Sequence, residues 1–265
     1  MSEQKQLRPV EQFKQVVYKP SVQQEFKNAL GDDTSLFTAS LIDVYTNDKT
    51  LQQCDPNAVA MEALKAATLK LPVNKDLGFA YVIPYKGKPQ MQMGYKGYIQ
   101  LAMRSGQYRT INADKVYEGE LVKFDKVTGE IDLSGTPTSN KVIGYFAHFE
   151  TIQGFRKTIY WTKEQIVEHA RHFSQSYNSK TSPWQTNFDA MAKKTVLKQL
   201  ISKYGVMTVE TTRALQEDEQ QAADVEAKEN ENQEIIDVES SETSVDEETG
   251  EVFEDGPQPE PEPDF

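Results

Sequence analysis

The chain has 265 residues, with 29 Lys or Arg against 41 Asp or Glu, a net charge of −12. Residues 211–265 hold 20 of those acids and only 2 basic residues, which leaves residues 1–210 with 27 basic against 21 acidic residues, so the overall pI of 4.9 describes neither part. The lone thiol, Cys54, excludes an intramolecular disulfide; with no apolar run of membrane-crossing length and no signal-peptide core in MSEQKQLRPVEQFK, a cytoplasmic protein is expected. A basic body that carries all twelve Tyr and both Trp points to a polyanionic partner, and the acidic stretch reads either as a solubilising tail or as a competitor or recruiting element.

Val22, Phe26 and Leu30, then Leu36, Phe37, Leu41, Val44 and Tyr45, fall at helical spacing and predict two helices within residues 1–50. Asp55-Pro56 opens another, with the carboxylate as N-cap and proline where its missing N–H costs nothing, and Pro72 follows its end. From Gly78 the period changes. Residues 79–85 and 89–93 read as a hairpin around Lys86-Gly87-Lys88, residues 94–106 as a short helix, and residues 108–117, 120–125, 141–150 and 155–161 as strands. Thr162 and Ser182 each begin a capping-box pattern, opening helices that run to about Phe173 and to Gly205. The expected fold is α+β, an antiparallel, hairpin-built sheet flanked by helices. It divides into an N-terminal helical region (1–50), a core (51–210) and an acidic tail (211–265) too poor in apolar residues to order itself.

Between Lys70 and Arg109 seven basic residues face one acid, Asp76, with Phe79, Tyr81, Tyr85, Tyr95, Tyr98 and Tyr108 interleaved. Lysines neutralise phosphates and rings stack on unpaired bases, so single-stranded nucleic acid is favoured, although any one Tyr is better explained as core. Lys86, Lys88, Lys96, Arg104 and Arg109 are the candidates there. On the helix from Pro183, Trp184, Phe188 and Met191 should face the core, while Lys194 and Lys198 lie one turn apart on one edge and Lys193 points away from the Trp184 side, aiming two or three cations at one strip that Lys141 and Arg156 on nearby strands could extend. No phosphate-loop or dinucleotide-binding pattern occurs, so ATP-driven chemistry is not expected. His169 and His172 read as surface or capping residues, and Asp114, Glu118, Glu120 and Asp125 as a turn and hairpin rim rather than a nuclease cluster.

LGFAYVIPYKGKPQMQMGYKGYIQLAMRSGQY (Leu77 to Tyr108), INADKVYEGELVKF and SPWQTNFDAMAKKTVLKQLISKYG (Ser182 to Gly205) closely resemble the RecT family of phage single-strand annealing recombinases. The resemblance spans most of residues 30–210. It implies a fold akin to the Rad-type annealing proteins and a non-enzymatic, ATP-independent protein that binds single-stranded DNA, anneals complementary strands and holds the annealed duplex intermediate. It further implies rings or filaments and a phage 5′→3′ exonuclease as partner; the N-terminal helices near Phe26 and Phe37, with apolar faces and little basic charge, are the expected assembly surface. Lys96 and Arg104 carry over with the GYKGYIQLAMRSG block, and Lys193, Lys194 and Lys198 with the MAKKTVLKQL block. No cofactor is required, with Mg²⁺ expected at most to modulate DNA binding, and the closing Pro-Asp-Phe, similar to the tip of bacterial single-strand-binding proteins, suggests contact with host single-strand-binding machinery. A passive single-strand-protecting protein is the alternative, and a nuclease is disfavoured.

Overall fold

A computed structural model of the chain describes residues 7–85, 87–174, 176–180 and 182–216. Three helices precede residue 50, one more than the apolar spacing predicts: α1 (Pro9–Val17), α2 (Pro20–Leu30) and α3 (Thr34–Asn47). Proline in the first turn starts α1 and α2, and α1 escapes a periodicity search because Phe13, Val16 and Val17 supply its whole buried face. Phe13 stacks on Tyr45 of α3 with ring centroids 4.0 Å apart, and Phe26 packs on Phe37 at 5.5 Å. In α4 (Pro56–Thr68) the Asp55 carboxylate accepts from the Ala58 N–H at 3.0 Å, the expected cap. The alanines Ala60, Ala63, Ala66 and Ala67 are buried, which lets α1 and α2 pack closely on this helix. The helical region and the core therefore share one hydrophobic cluster across residue 50.

An ion pair fastens this join. Lys75 Nζ lies 2.7 Å from Asp48 Oδ2, and the same carboxylate accepts from the Thr50 hydroxyl and from the Thr50 and Leu51 N–H groups. Burial alone would raise the Asp48 pKa, but the bonds from Lys75, Thr50 and Leu51 outweigh it and hold the group at about 2. A depressed folded-state pKa contributes stability above the unfolded value near 4, which is lost as pH falls through 2. The full shift corresponds to about 2.4 kcal/mol, reduced to about 1–2 kcal/mol by the solvent around Lys75. Asp48→Asn should be less stable than wild type by that amount in urea at pH 5, with the difference mostly lost at pH 2; an equal gap at both pH values contradicts the assignment.

The strands form three antiparallel sheets. The hairpin β1 (Ala80–Tyr85) and β2 (Lys88–Met93) pairs Ala80 with Met93 and Tyr85 with Lys88, and it rests on α4, where the Glu62 carboxylate accepts from the Met91 N–H at 2.7 Å. After α5 (Tyr95–Arg104) comes the main sheet, ordered β3 (Tyr108–Tyr117), β6 (Val142–Thr151), β7 (Arg156–Thr162). Between β3 and β6 the chain makes a small hairpin of β4 (Lys123–Phe124) and β5 (Ile131–Asp132), so only the centre of the predicted strand 120–125 is realised. Tyr145, Ala147 and Phe149 alternate into the core beneath α8 (Phe188–Tyr204). β7 passes directly into α6 (Lys163–Phe173): Thr162 closes the strand and caps the helix, forming the predicted capping box with Gln165.

The second predicted capping box is not formed. Ser182 Oγ accepts from the Trp184 N–H at 3.3 Å, while Gln185 donates to the Tyr177 carbonyl at 2.6 Å. The helix from Pro183 is also broken: α7 (Pro183–Thr186) ends at Asn187, whose extended φ of −149° separates it from α8. That break lets Trp184, 6 % exposed, enter the core against the Tyr177 and Phe188 rings. A last helical stretch over 209–216 buries Thr211, Ala214 and Leu215, so the packed body extends past Thr211, where the tail was expected to start. None of the described helices is long and apolar enough to cross a membrane.

Candidate nucleic-acid interface

Of the ten cations singled out from sequence, Lys86 lies outside the described residues and the other nine fall in distinct settings. Lys88 on β2 and Lys96 on α5 are exposed, and the Lys96 stem passes beside Gly78. Arg104 donates to the Leu69 carbonyl at 2.9 Å; burial lowers its pKa and the nearby Glu210 opposes that effect. Arg109 and Arg156 converge, because the register of β3, β6 and β7 sets both beside Glu150, 2.9 and 3.1 Å away. Two guanidiniums on one carboxylate leave a net positive charge. Lys141 pairs with Glu118 at 3.2 Å.

On α8, Lys193 and Lys198 have different neighbours. Lys193 Nζ sits 4.8 Å over the Tyr95 ring of α5 and 3.8 Å from Asp114 of β3, whereas Lys198 is close enough to α6 that its charge helps lower the His169 pKa, after burial. All three lysines are half-buried. Beside Lys193, the Asp189 carboxylate accepts from the Tyr145 hydroxyl at 2.6 Å and pairs with Lys115 at 3.0 Å, tying the first turn of α8 to the sheet. Burial would raise the Asp189 pKa, but Tyr145 and Lys115 lower it, while burial and then Asp189 raise that of Tyr145. These groups are ionised or hydrogen-bonded scaffolding for the Lys193 side.

The tyrosines divide into two groups. Tyr98 and Tyr108 are core, with Tyr108 Oη accepting from the Val206 N–H at 2.6 Å, and Tyr81, Tyr85 and Tyr95 are half-buried. His169 corrects the surface reading: it is half-buried against the Trp161 and Phe173 rings. Asp125 accepts from the N–H groups of Val127 and Thr128, and Glu120 from that of Tyr117, which makes them turn and rim residues. Among the described residues no group of three His, Cys, Asp or Glu could hold a metal ion.

A second basic region, formed by Lys123, Lys126, Lys157 and Lys203, is not legible in the sequence. The β4–β5 hairpin folds back onto β7, and Gly129, at φ +78°, permits it: a Cβ there would lie 2.8 Å from the Thr158 carbonyl. Two clefts result, of about 570 and 470 Å³, sharing Lys157 and Thr158. The Thr128-Gly129 turn was legible, but not where its far side would land.

A body with 27 basic against 21 acidic residues over 1–210, carrying all twelve Tyr, is suited to binding polyanions. A family model described as RecT family matches residues 35–235. The chain belongs to the RecT family. Over 239 residues it is 45 % identical to "Uncharacterized protein YqaK" of Bacillus subtilis (strain 168), covering 88 % of this chain and 83 % of that protein. Over 181 residues it is 32 % identical to "Protein RecT" of Escherichia coli (strain K12), covering 64 % of this chain and 66 % of that one. RecT membership assigns a role in recombination by single-strand annealing, with single-stranded DNA binding and oligomerisation.

Proposed function

We propose that the protein binds single-stranded DNA and anneals complementary strands without ATP, as an oligomer, and that it works beside a 5′→3′ exonuclease. The family match over residues 35–235 carries this reading. The physical case is short. Complementary strands repel through their phosphates, so cations that bind both backbones lower the encounter barrier, and pairing then releases about 1.4 kcal/mol per stacked step, which removes any need for nucleotide hydrolysis. Linked subunits hold a long strand by avidity, so each can bind weakly and permit register search. Mg²⁺ would modulate DNA binding through its charge and would not act as a cofactor.

Phe26 and Phe37, around which an assembly surface was expected, are buried against one another, so their apolar faces are not available. The N-terminal helices instead leave Tyr18 and Leu36 exposed, and α4 leaves Met61 exposed, by 59, 72 and 59 %, and these are the side chains we assign to subunit contact. A passive single-strand coat would share the cations but would stabilise separate strands and slow pairing. Complementary oligonucleotides with a quenched fluorophore pair should anneal faster with the protein and no ATP, across a range of protein-to-nucleotide ratios. Slower annealing at every ratio would establish the coat.

A further inference from the structure

The smaller cleft runs along the outer edge of β7, the strand that ends the main sheet; among the described residues no strand pairs with that edge. β7 forms its floor, the last turn of α8 one wall and the start of the β4–β5 excursion the other. Among the described residues three ammonium groups line it, from Lys126, Lys157 and Lys203, and no carboxylate does. The larger cleft, across Lys157, sets Glu130 and Asp132 against its cations, so a polyanion is drawn to the smaller one. Lys126 and Lys203 are exposed, and Lys157 Nζ is held 5.1 Å from the Tyr204 ring centroid.

The rings are backed as platforms. Trp161 rests on His169 at 5.3 Å, Tyr160 leans on Phe124 at 5.6 Å, and Tyr204 is 43 % exposed. Glu164, whose charge reaches Tyr160, sits in the first turn of α6, where its own amide N–H and the Thr162 side chain lower its pKa. Lysines with no acid between them, alongside supported but accessible rings, answer to a flexible chain that alternates phosphates with flat bases. We propose that this cleft binds a short stretch of single-stranded nucleic acid, about three phosphates long, with one phosphate for each of Lys126, Lys157 and Lys203 and a base laid against the Trp161 and Tyr204 rings. One or two stacked bases per subunit anchor the strand while the remaining Watson–Crick edges stay open to a second strand. The inference rests on the reading of the chain as a single-strand-binding protein and adds the place of contact.

Trp161 makes the cleft readable, since the only other tryptophan is Trp184, in the core. Oligo-dT added to the full chain should quench tryptophan emission, and Trp161→Phe should abolish the quench while Trp184 still emits. An abasic oligodeoxynucleotide of equal length should bind without quenching. Lys126→Ala with Lys203→Ala, both at exposed positions, should weaken oligo-dT binding roughly tenfold at low salt and flatten the log–log salt slope by about 1.4, two contacts at about 0.7 each. A quench that survives Trp161→Phe, a quench by the abasic strand, or an unchanged slope in the double variant, with annealing by wild type intact, overturns the cleft alone. Failure of wild type to bind oligo-dT overturns the cleft and the annealing reading together.

Discussion

Ending the chain after Glu210 is expected to destabilise the body by about 2–5 kcal/mol, whereas ending it after Gln216 is expected to leave its stability unchanged. The helix over 209–216 is short but well founded: Thr208 Oγ1 accepts from the Thr211 N–H at 3.1 Å, and Ala214 and Leu215 are 0 and 4 % exposed within the main hydrophobic cluster. Removing one buried leucine side chain costs about 2–5 kcal/mol in a core that cannot collapse, and the shorter chain loses Thr211 and Ala214 with it. Urea midpoints of the two truncations decide the matter; equal values would mean the helix adds nothing.

The cut site also decides what can be learned about charge. Residues 217–265 hold 20 Asp or Glu and one Lys, so stopping at Gln216 takes the net charge from −12 to +7. Tighter binding of single strands at low salt should follow, fading towards physiological ionic strength, where exposed charges are screened beyond about 8 Å. A cut at Glu210 would mask that gain with lost stability.

Gly97→Ala is expected to cost about 3 kcal/mol, the upper end of overpacking, although alanine is the better helix former. The first turn of α5 crosses the backbone just before β1. A Cβ on Gly97 would fall inside van der Waals contact of the Phe79 carbonyl oxygen and lie 2.9 Å from Met93 Cε, and one on Gly94 would collide with the Gly78 carbonyl. The Gly94 N–H donates to the Phe79 carbonyl at 2.9 Å, so the strand cannot retreat without losing that bond. Gln100→Ala, on the exposed side of the same helix, should change stability by less than about 0.5 kcal/mol. Equal urea midpoints for the two variants would show that the crossing can relax.

What the sequence made legible was local. The limits of β3 at 108–117, the Asp55 and Thr162 caps and the turn at Thr128-Gly129 all follow from short-range rules, and the structure has each of them. The break at Asn187 escaped because both sides are good helix, and only the fit of Trp184 in the core requires the interruption. The candidate interface was harder for the same reason. Counting lysines locates positive charge, but Glu150, Glu118 and Asp114, which temper Arg109, Arg156, Lys141 and Lys193, meet them through strand register and helix packing. Lys126 and Lys203, 77 positions apart, share a cleft only because a hairpin folds back.

Thr162 belongs at once to the end of β7 and to the cap of α6, and that double membership leaves no joint between them. Elsewhere a loop would absorb a small shift of a strand; here a tug on β7 is handed directly to α6 as a lever hinged nowhere along its length. Ile166 and Ala170 bed that lever in the core, while at its far end the Phe173 ring is 52 % exposed. Load borne by the edge of the sheet is thereby delivered one helix length away, at the opposite end of α6.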